Sequence, residues 1–252
     1  MLRQGVPQVS GNEKCTAGSA SLDRCRSMSL KAQLEACCRE YEANAEPRVI
    51  DAARRSIQAL AETALVAKAV KAGEMAPLFR LRCGPGGFID LFDLIHRGPV
   101  VISFLWGDWC PFCVLELKAL AAAHRQIERL GARLLVLSPQ ARDKSSSLTG
   151  DGKPPFPLLR DTGCNIAARY RIAFTVPQQF RAAYLALGYP VSARTGSKDW
   201  VLPIPATYVL DSTGLIVLSY LDADYTTRLE PAEIIVALTH LRRANIPDRN
   251  NR

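Results

Sequence analysis

A chain of 252 residues, 48% hydrophobic and 22% charged, has room for one domain with an appendage or for two small ones. Its net charge of +8 is spread over scattered pairs such as Arg54/Arg55, Arg80/Arg82 and Arg242/Arg243, without a dense stripe, so it reads as solvated surface and no nucleic-acid partner is expected. No run of eighteen apolar residues is present, and residues 1–26 have no apolar stretch of the secretory kind; neither a membrane span nor a membrane partner is expected. Six of the eight cysteines (Cys15, Cys25, Cys37, Cys38, Cys83, Cys164) lack the spacing of a disulfide framework and read as reduced thiols in the cytoplasm.

Residues 1–27 are polar, contain several Gly and Ser and show no periodicity, which predicts disorder. Residues 28–73 read as N-terminal helices. Ser29 caps the first, with Leu30, Leu34 and Cys37/Cys38 on one face; the second runs from Pro47 to Gly73, with Ile50, Ala53, Ile57, Leu60, Ala64 and Ala67 at helical spacing. That stripe is expected to be packing surface rather than a partner-binding face. From residue 74 to 243 short strands and helices alternate. Strands are predicted at 78–82, 100–105 and 133–138, a turn at 84–87, a short helix capped by Asp90, a helix over 114–130 and a polar loop over 140–155. Residues 158–159 lead into a helix over 161–170, 174–203 form an insertion, 207–210 and 215–220 make a hairpin, and Pro231 opens a last helix before the tail 244–252. This order predicts an α/β protein with a mixed sheet covered on both faces.

Trp109, Cys110, Pro111, Phe112 and Cys113 stand between the buried strand and the amphipathic helix. Two cysteines there share the first turn of a helix, whose unpaired N–H groups and positive dipole end favour a thiolate. A thiolate attacks disulfides and peroxides, and a neighbouring sulfur can then close an internal disulfide. A zinc site would need two more ligands, but no second CxxC exists and His96, His124 and His240 stand alone. Trp109 reads as a rigid wall beside the sulfurs. Pro111 restricts the backbone between them, and Trp106 is expected to be strand packing. Asp108 reads as a loop carboxylate, and Cys164 as an inert buried thiol rather than a second resolving one. Phe180, Tyr184 and Trp200 either line the approach to the sulfurs or pack the core.

With these residues in hand, the chain resembles the peroxiredoxin side of the thioredoxin superfamily, the alkyl hydroperoxide reductase and thiol-specific antioxidant group. Ala76-Pro77-Leu78-Phe79, residues 100–104 and 109–116, Ser138-Pro139, residues 156–161 and residues 205–211 carry the resemblance. It implies a thioredoxin-like fold, a central mixed sheet flanked by helices, with an N-terminal helical extension. It also places Cys113 on the peroxidatic position and Glu116 on the family's Glu, while Cys110 stands where the family has Thr and Pro205 where it has Arg. Two members of the usual peroxide-binding constellation are thus expected to be missing. Thioredoxins imply the opposite labelling, with Cys110 attacking first and Pro205, after Ile204, in the place of a cis-proline facing the motif.

The resemblance implies a thiol-dependent peroxidase. The Cys113 thiolate attacks hydrogen peroxide or an organic hydroperoxide, Cys110 condenses with the sulfenic acid, and a thioredoxin- or glutathione-type reductant restores the pair. No metal or organic cofactor is required, and a homodimer is a further expectation. The rival readings are a thiol–disulfide oxidoreductase acting on protein disulfides and a non-enzymatic redox-sensing module. All of the redox readings require the sulfurs to lie at a helix mouth with one of them ionised; sealing inside apolar packing with the chain entering from another geometry, or a bound zinc ion, would remove them.

Overall fold

The run Val100–Phe104 is apolar but for Ser103 and buried at every position, as a strand covered on both faces must be. This strand, β3, forms the middle of a five-stranded sheet in the computed structural model, which describes residues 28–83, 87–141 and 154–244. Parallel to it runs β4 (Arg133–Ser138), followed by β5 (Leu158–Arg160); on its other side lie antiparallel β8 (Ala206–Leu210) and β9 (Ile216–Leu221). Before the sheet come helices α1 (Leu30–Asn44), α2 (Pro47–Ala61) and α3 (Leu65–Lys68), the hairpin of β1 (Arg80–Cys83) and β2 (Gly87–Asp90), and α4 (Leu91–Ile95), with Asp90 capping α4. Helix α5 (Pro111–Arg129) connects β3 to β4. Beyond β5 lie α6 (Asn165–Arg169), β6 (Ala173–Thr175), α7 (Gln178–Ala186), α8 (Val191–Thr195) and β7 (Val201–Pro203), which pairs with β6. Helix α9 (Pro231–Ala244) ends the described chain.

Side chains alternate across the sheet with period two and divide the interior into two cores. Val101, Leu134, Val136 and Val209 face α5, α9 and the N-terminal helices; Val100, Ile102, Phe104, Leu135, Leu137 and Tyr208 face α6 and the segment around Phe79 and Leu91. Leu30 and Leu34 of α1 and Ala53 of α2 belong to the first core, so the N-terminal helices pack onto the domain. Burying a leucine of this kind contributes about 1.5–3 kcal/mol.

One predicted helix is shorter than its periodicity suggested. The stripe from Pro47 to Gly73 is broken after Ala61, where the Thr63 hydroxyl donates to the Leu60 carbonyl at 2.6 Å and accepts from the Leu65 N–H at 3.3 Å. A side chain that bonds to nearby backbone offers the chain an alternative to the next helical turn. The predicted helix over 161–170 likewise starts late, after a short 3-10 turn, because Gly163 and Cys164 take positive φ values of 67° and 57°. The predicted extension 1–27 lies outside the described residues, as do 84–86 of the predicted turn, 142–153 of the predicted polar loop and 245–252 of the tail.

Candidate active site

At the end of β3 the chain must turn from strand to helix within a few residues. Gly107 has φ +153°, and a Cβ there would lie 2.1 Å from Gln140 Oε1 and 2.6 Å from Trp109 Nε1, so only glycine fits. Gln140 Oε1 accepts from the Asp108 N–H at 2.8 Å, and the Ser138 hydroxyl donates to the Trp106 carbonyl at 2.8 Å, tying the turn to the end of β4. Cys110 is then the N-cap of α5, Pro111 holds the first helical position where its missing N–H costs nothing, and Cys113 lies in the first turn. No acidic residue competes for that turn.

Both sulfurs are completely buried, and they are unpaired and hydrogen-bonded to each other. Their enclosure has two different halves. Around Cys110 it is aromatic. Trp106 stacks on Trp109 with centroids 5.8 Å apart, Tyr225 lies 4.7 Å from Trp106, and Tyr184 and Tyr189 close the ring at 5.9 and 5.8 Å. Tyr41 of α1 and Phe112, 5.9 Å apart, complete the wall. Outside this wall a groove of roughly 420 Å³, partly open to solvent, runs between α1 and α2 with Phe112, Tyr189 and Tyr225 among its lining residues.

Around Cys113 the enclosure is ionic. Arg228, itself buried, donates from its guanidinium to Cys113 Sγ at 3.3 Å and pairs with the Glu116 carboxylate. Glu116 also accepts from the Ser103 hydroxyl of β3 at 2.8 Å. Arg228 Nη1 donates to the carbonyls of Tyr225 and Thr227, each at 2.6 Å, in a turn built on Asp224, whose carboxylate accepts from the Thr226 N–H and hydroxyl. The single Arg228 cation thus serves both the Glu116 carboxylate and Cys113, as burial of charged groups demands a partner. The redox reading therefore survives full burial, because half of the enclosure is charged.

Electrostatics separate the two sulfurs. Burial raises a thiol pKa, but at Cys113 the hydrogen bond from Cys110 and the Arg228 charge outweigh it and hold the thiol down at about 7. At Cys110 burial, reinforced by the charge and hydrogen bond of Cys113, pushes the thiol well above its usual value. Of the pair, Cys113 is therefore the sulfur poised to ionise at neutral pH. Burial also pushes the Glu116 carboxyl up, opposed by Arg228 and the Ser103 and Thr207 hydroxyls.

Of the residues singled out from sequence, Trp109, Cys110, Pro111, Cys113 and Glu116 are brought together. Pro205 lies in the link between β7 and β8, and its peptide bond with Ile204 is trans. The expectation of a site without an arginine is overturned. Arg228, 115 residues from Cys113 in sequence, supplies the cation from the segment after β9. Sequence reasoning missed it because no fixed spacing links it to the motif; its sole signal was an arginine in the turn-rich stretch before Pro231. Trp106 is more than strand packing, since its Nε1 donates to the Pro203 carbonyl at 2.8 Å and its ring anchors the aromatic wall. Tyr184 is part of that wall, with its hydroxyl 3.3 Å from Ser56 Oγ, whereas Trp200 is stacked under Arg181. Cys164 belongs to the core on the opposite face of the sheet. Among the described residues no group of three or more His, Cys, Asp or Glu side chains is arranged to hold a metal ion.

A parallel-centred mixed sheet with two cysteines at the mouth of the helix after its central strand defines a thioredoxin-like protein. Within that class the chain belongs to the AhpC/TSA family, whose model matches residues 72–219. It is 30% identical over 102 residues to the peroxiredoxin bcp of Helicobacter pylori strain J99, covering 40% of this chain and 66% of that one. It is 26% identical over 159 residues to the chloroplastic peroxiredoxin Q of Suaeda salsa, covering 63% of each. The chain thus spans just under two thirds of the length of these relatives. Its fold matches the peroxidoxin BcpB of Mycobacterium tuberculosis (TM-score 0.51, 19% identity, 70% of this chain and 99% of that one). It also matches a peroxiredoxin 6 of Arenicola marina (TM-score 0.55, 19% identity, 70% and 76%). Helices α1 and α2 and the Arg228 segment lie outside the span that the family model matches.

Proposed function

We propose that the protein is a thiol-dependent peroxidase using Cys113 as the attacking sulfur and Cys110 as the resolving one. The observation that carries this reading is the guanidinium of Arg228, 3.3 Å from a sulfur whose pKa is held near 7 and which is hydrogen-bonded to a second thiol. The Cys113 thiolate attacks one oxygen of a hydroperoxide. The O–O bond breaks, alcohol or water leaves, and a sulfenic acid remains. Arg228 stabilises the thiolate and the negative charge developing on the leaving oxygen, the kind of preorganised donor worth about 10²–10³ in rate. The Cys110 thiol then displaces hydroxide from the sulfenic sulfur, water forms, and the pair is joined as a disulfide. An external thioredoxin- or glutathione-type thiol returns two electrons. Glu116 and Ser103 act through Arg228, fixing its direction, while Pro111 and Trp109 shape the turn and wall beside the sulfurs. Pro205 supports the site as part of the link that passes beside the end of β3.

The helices of residues 28–73 and the domain of 74–243 are proposed to work as one unit in a reducing cytoplasm, with a homodimer as its assembly. Support for that compartment is the six unpaired cysteines among the described residues; no described helix is long and apolar enough to cross a membrane. Stopped-flow oxidation of the reduced protein tests the chemistry. Hydrogen peroxide or cumene hydroperoxide should oxidise Cys113 orders of magnitude faster than free cysteine, with a dimedone adduct on Cys113 in the Cys110→Ser variant. A rate like that of an ordinary thiol with both peroxides would overturn the peroxidase reading.

A further inference from the structure

The segment between β9 and α9, residues 222–230, holds two parts of the molecule at once. Through Arg228 it touches Cys113. Two residues further on, the Glu230 carboxylate accepts from the N–H groups of Leu30 at 3.3 Å and Lys31 at 2.7 Å. These are first-turn donors of α1 without a partner inside the helix, at the end where the dipole favours an anion. Just before Arg228, Thr226 stands beside Cys38 of α1, and Tyr225 packs against Phe112 and Trp106. Helix α1 in turn lays Tyr41 against Phe112 and Tyr189. One strap therefore ties the cation beside Cys113 to the start of the helix that roofs Cys110.

That roof bears on the second half of the cycle. A disulfide between two fully buried sulfurs is closed to a protein dithiol, whose thiolate must reach one sulfur directly. The thiol of lower pKa is the better leaving group, so attack belongs on Cys110, with Cys113 departing. Cys110 is the sulfur under Tyr41, Tyr189 and Tyr225. Some part of this wall has to move, and α1 is the part that the strap can release.

We propose that α1 is a redox-gated cover: turning the Cys113 thiolate into the Cys110–Cys113 disulfide removes one of the two anions that seat Arg228, and the strap 222–230 then lets α1 lift and opens Cys110 to an incoming protein dithiol. The gate rests on the thiol–disulfide cycle proposed above but not on which oxidant drives it. In forming the bond the two thiols give two electrons and two protons to the oxidant, a hydroperoxide becoming alcohol and water. The incoming dithiol returns them and becomes a disulfide itself. The disulfide state leaves Arg228 with Glu116 and two carbonyls, so the strap loosens without losing its fold.

Hydrogen exchange read by mass spectrometry tests the gate on the full-length protein, once fully reduced and once carrying the disulfide formed with stoichiometric diamide and confirmed by peptide mapping. Amides of α1 should exchange at least about tenfold faster in the disulfide form, with β3 unchanged. Glu230→Gln removes the capping anion and should speed exchange of α1 already in the reduced protein, narrowing the difference between the two states. Equal exchange of α1 in both states overturns the gate even where peroxide turnover is intact. Faster exchange on diamide treatment, in a protein that peroxides oxidise no faster than free cysteine, supports the gate while sinking the peroxidase reading. Failure of diamide to join Cys110 and Cys113 overturns both.

Discussion

Cys113 and Cys164 are both fully buried, both near the start of a helix, and separated by one sheet, yet they are opposite in character. At α5 the first turn carries no acid, and the nearest full charge to the sulfur is the Arg228 cation. At α6 the N–H groups of Ile166 and Ala167 are already taken by the Asp161 carboxylate, at 2.8 and 2.9 Å. Cys164 Sγ is left to a long contact of 3.6 Å with the Val201 carbonyl, and burial followed by the Asp161 charge pushes its thiol far up. Burial and a helix start are therefore shared. What differs is what opposes burial: Cys113 has the Cys110 hydrogen bond and the Arg228 cation, whereas the charge beside Cys164 is the Asp161 anion, which adds to the effect of burial.

The bluntest way to break the comparison is to remove each sulfur. Cys113→Ser should abolish peroxide consumption in a coupled reductant assay, whereas Cys164→Ala should stay within about twofold of the parent rate, its loss felt as packing. Replacing the cation comes next. Arg228→Met should slow peroxide oxidation by about 10²–10³-fold. It also strands the buried Glu116 carboxylate, which should lower stability in urea unfolding by about 3–5 kcal/mol.

Titration sharpens the contrast. Alkylation of Cys113 by iodoacetamide, followed by peptide mass spectrometry in the Cys110→Ala background, should rise with pH through the region of 7 to 9, because that variant loses the Cys110 hydrogen bond that lowers the pKa but keeps Arg228. In the intact protein the midpoint should lie near 7. A folded pKa below the unfolded one means that the thiolate stabilises the fold fully above about pH 9 and that this contribution fades as pH falls through about 7. Glu116→Gln removes an anion that raises the Cys113 pKa, so the midpoint should move lower. An upward move would show that Glu116 matters mainly by holding Arg228 in place. The smallest effect is expected at the other cysteine. Asp161→Asn removes the carboxylate beside Cys164 and weakens the start of α6, costing about 1 kcal/mol in thermal unfolding. Cys164 should still resist alkylation in the folded protein, since burial is the larger cause of its high pKa.

Much of the fold was readable because it rests on short-range rules. The apolar run 100–104, the motif after it and the helix to Arg129 follow from periodicity and from Pro111 at a helix start. Where local patterns competed, the reading failed. The apolar stripe of α2 continues in sequence past Ala61, but the Thr63 hydroxyl satisfies backbone groups that the next turn would have used. The site was half legible. Cys110, Cys113 and Glu116 sit within seven residues on one helix start, whereas the aromatic wall draws Tyr41, Tyr184, Tyr189 and Tyr225 from three distant stretches with no common spacing.

The amino-acid order by itself determined that two sulfurs share the first turn of a helix after a buried strand, because spacing, capping and side-chain alternation act over a few residues. Tertiary structure alone decided which sulfur is ionised and how it is covered. Electrostatic interaction depends on distance in space rather than along the chain, and the arginine that governs Cys113 arrives at 3.3 Å from 115 residues away.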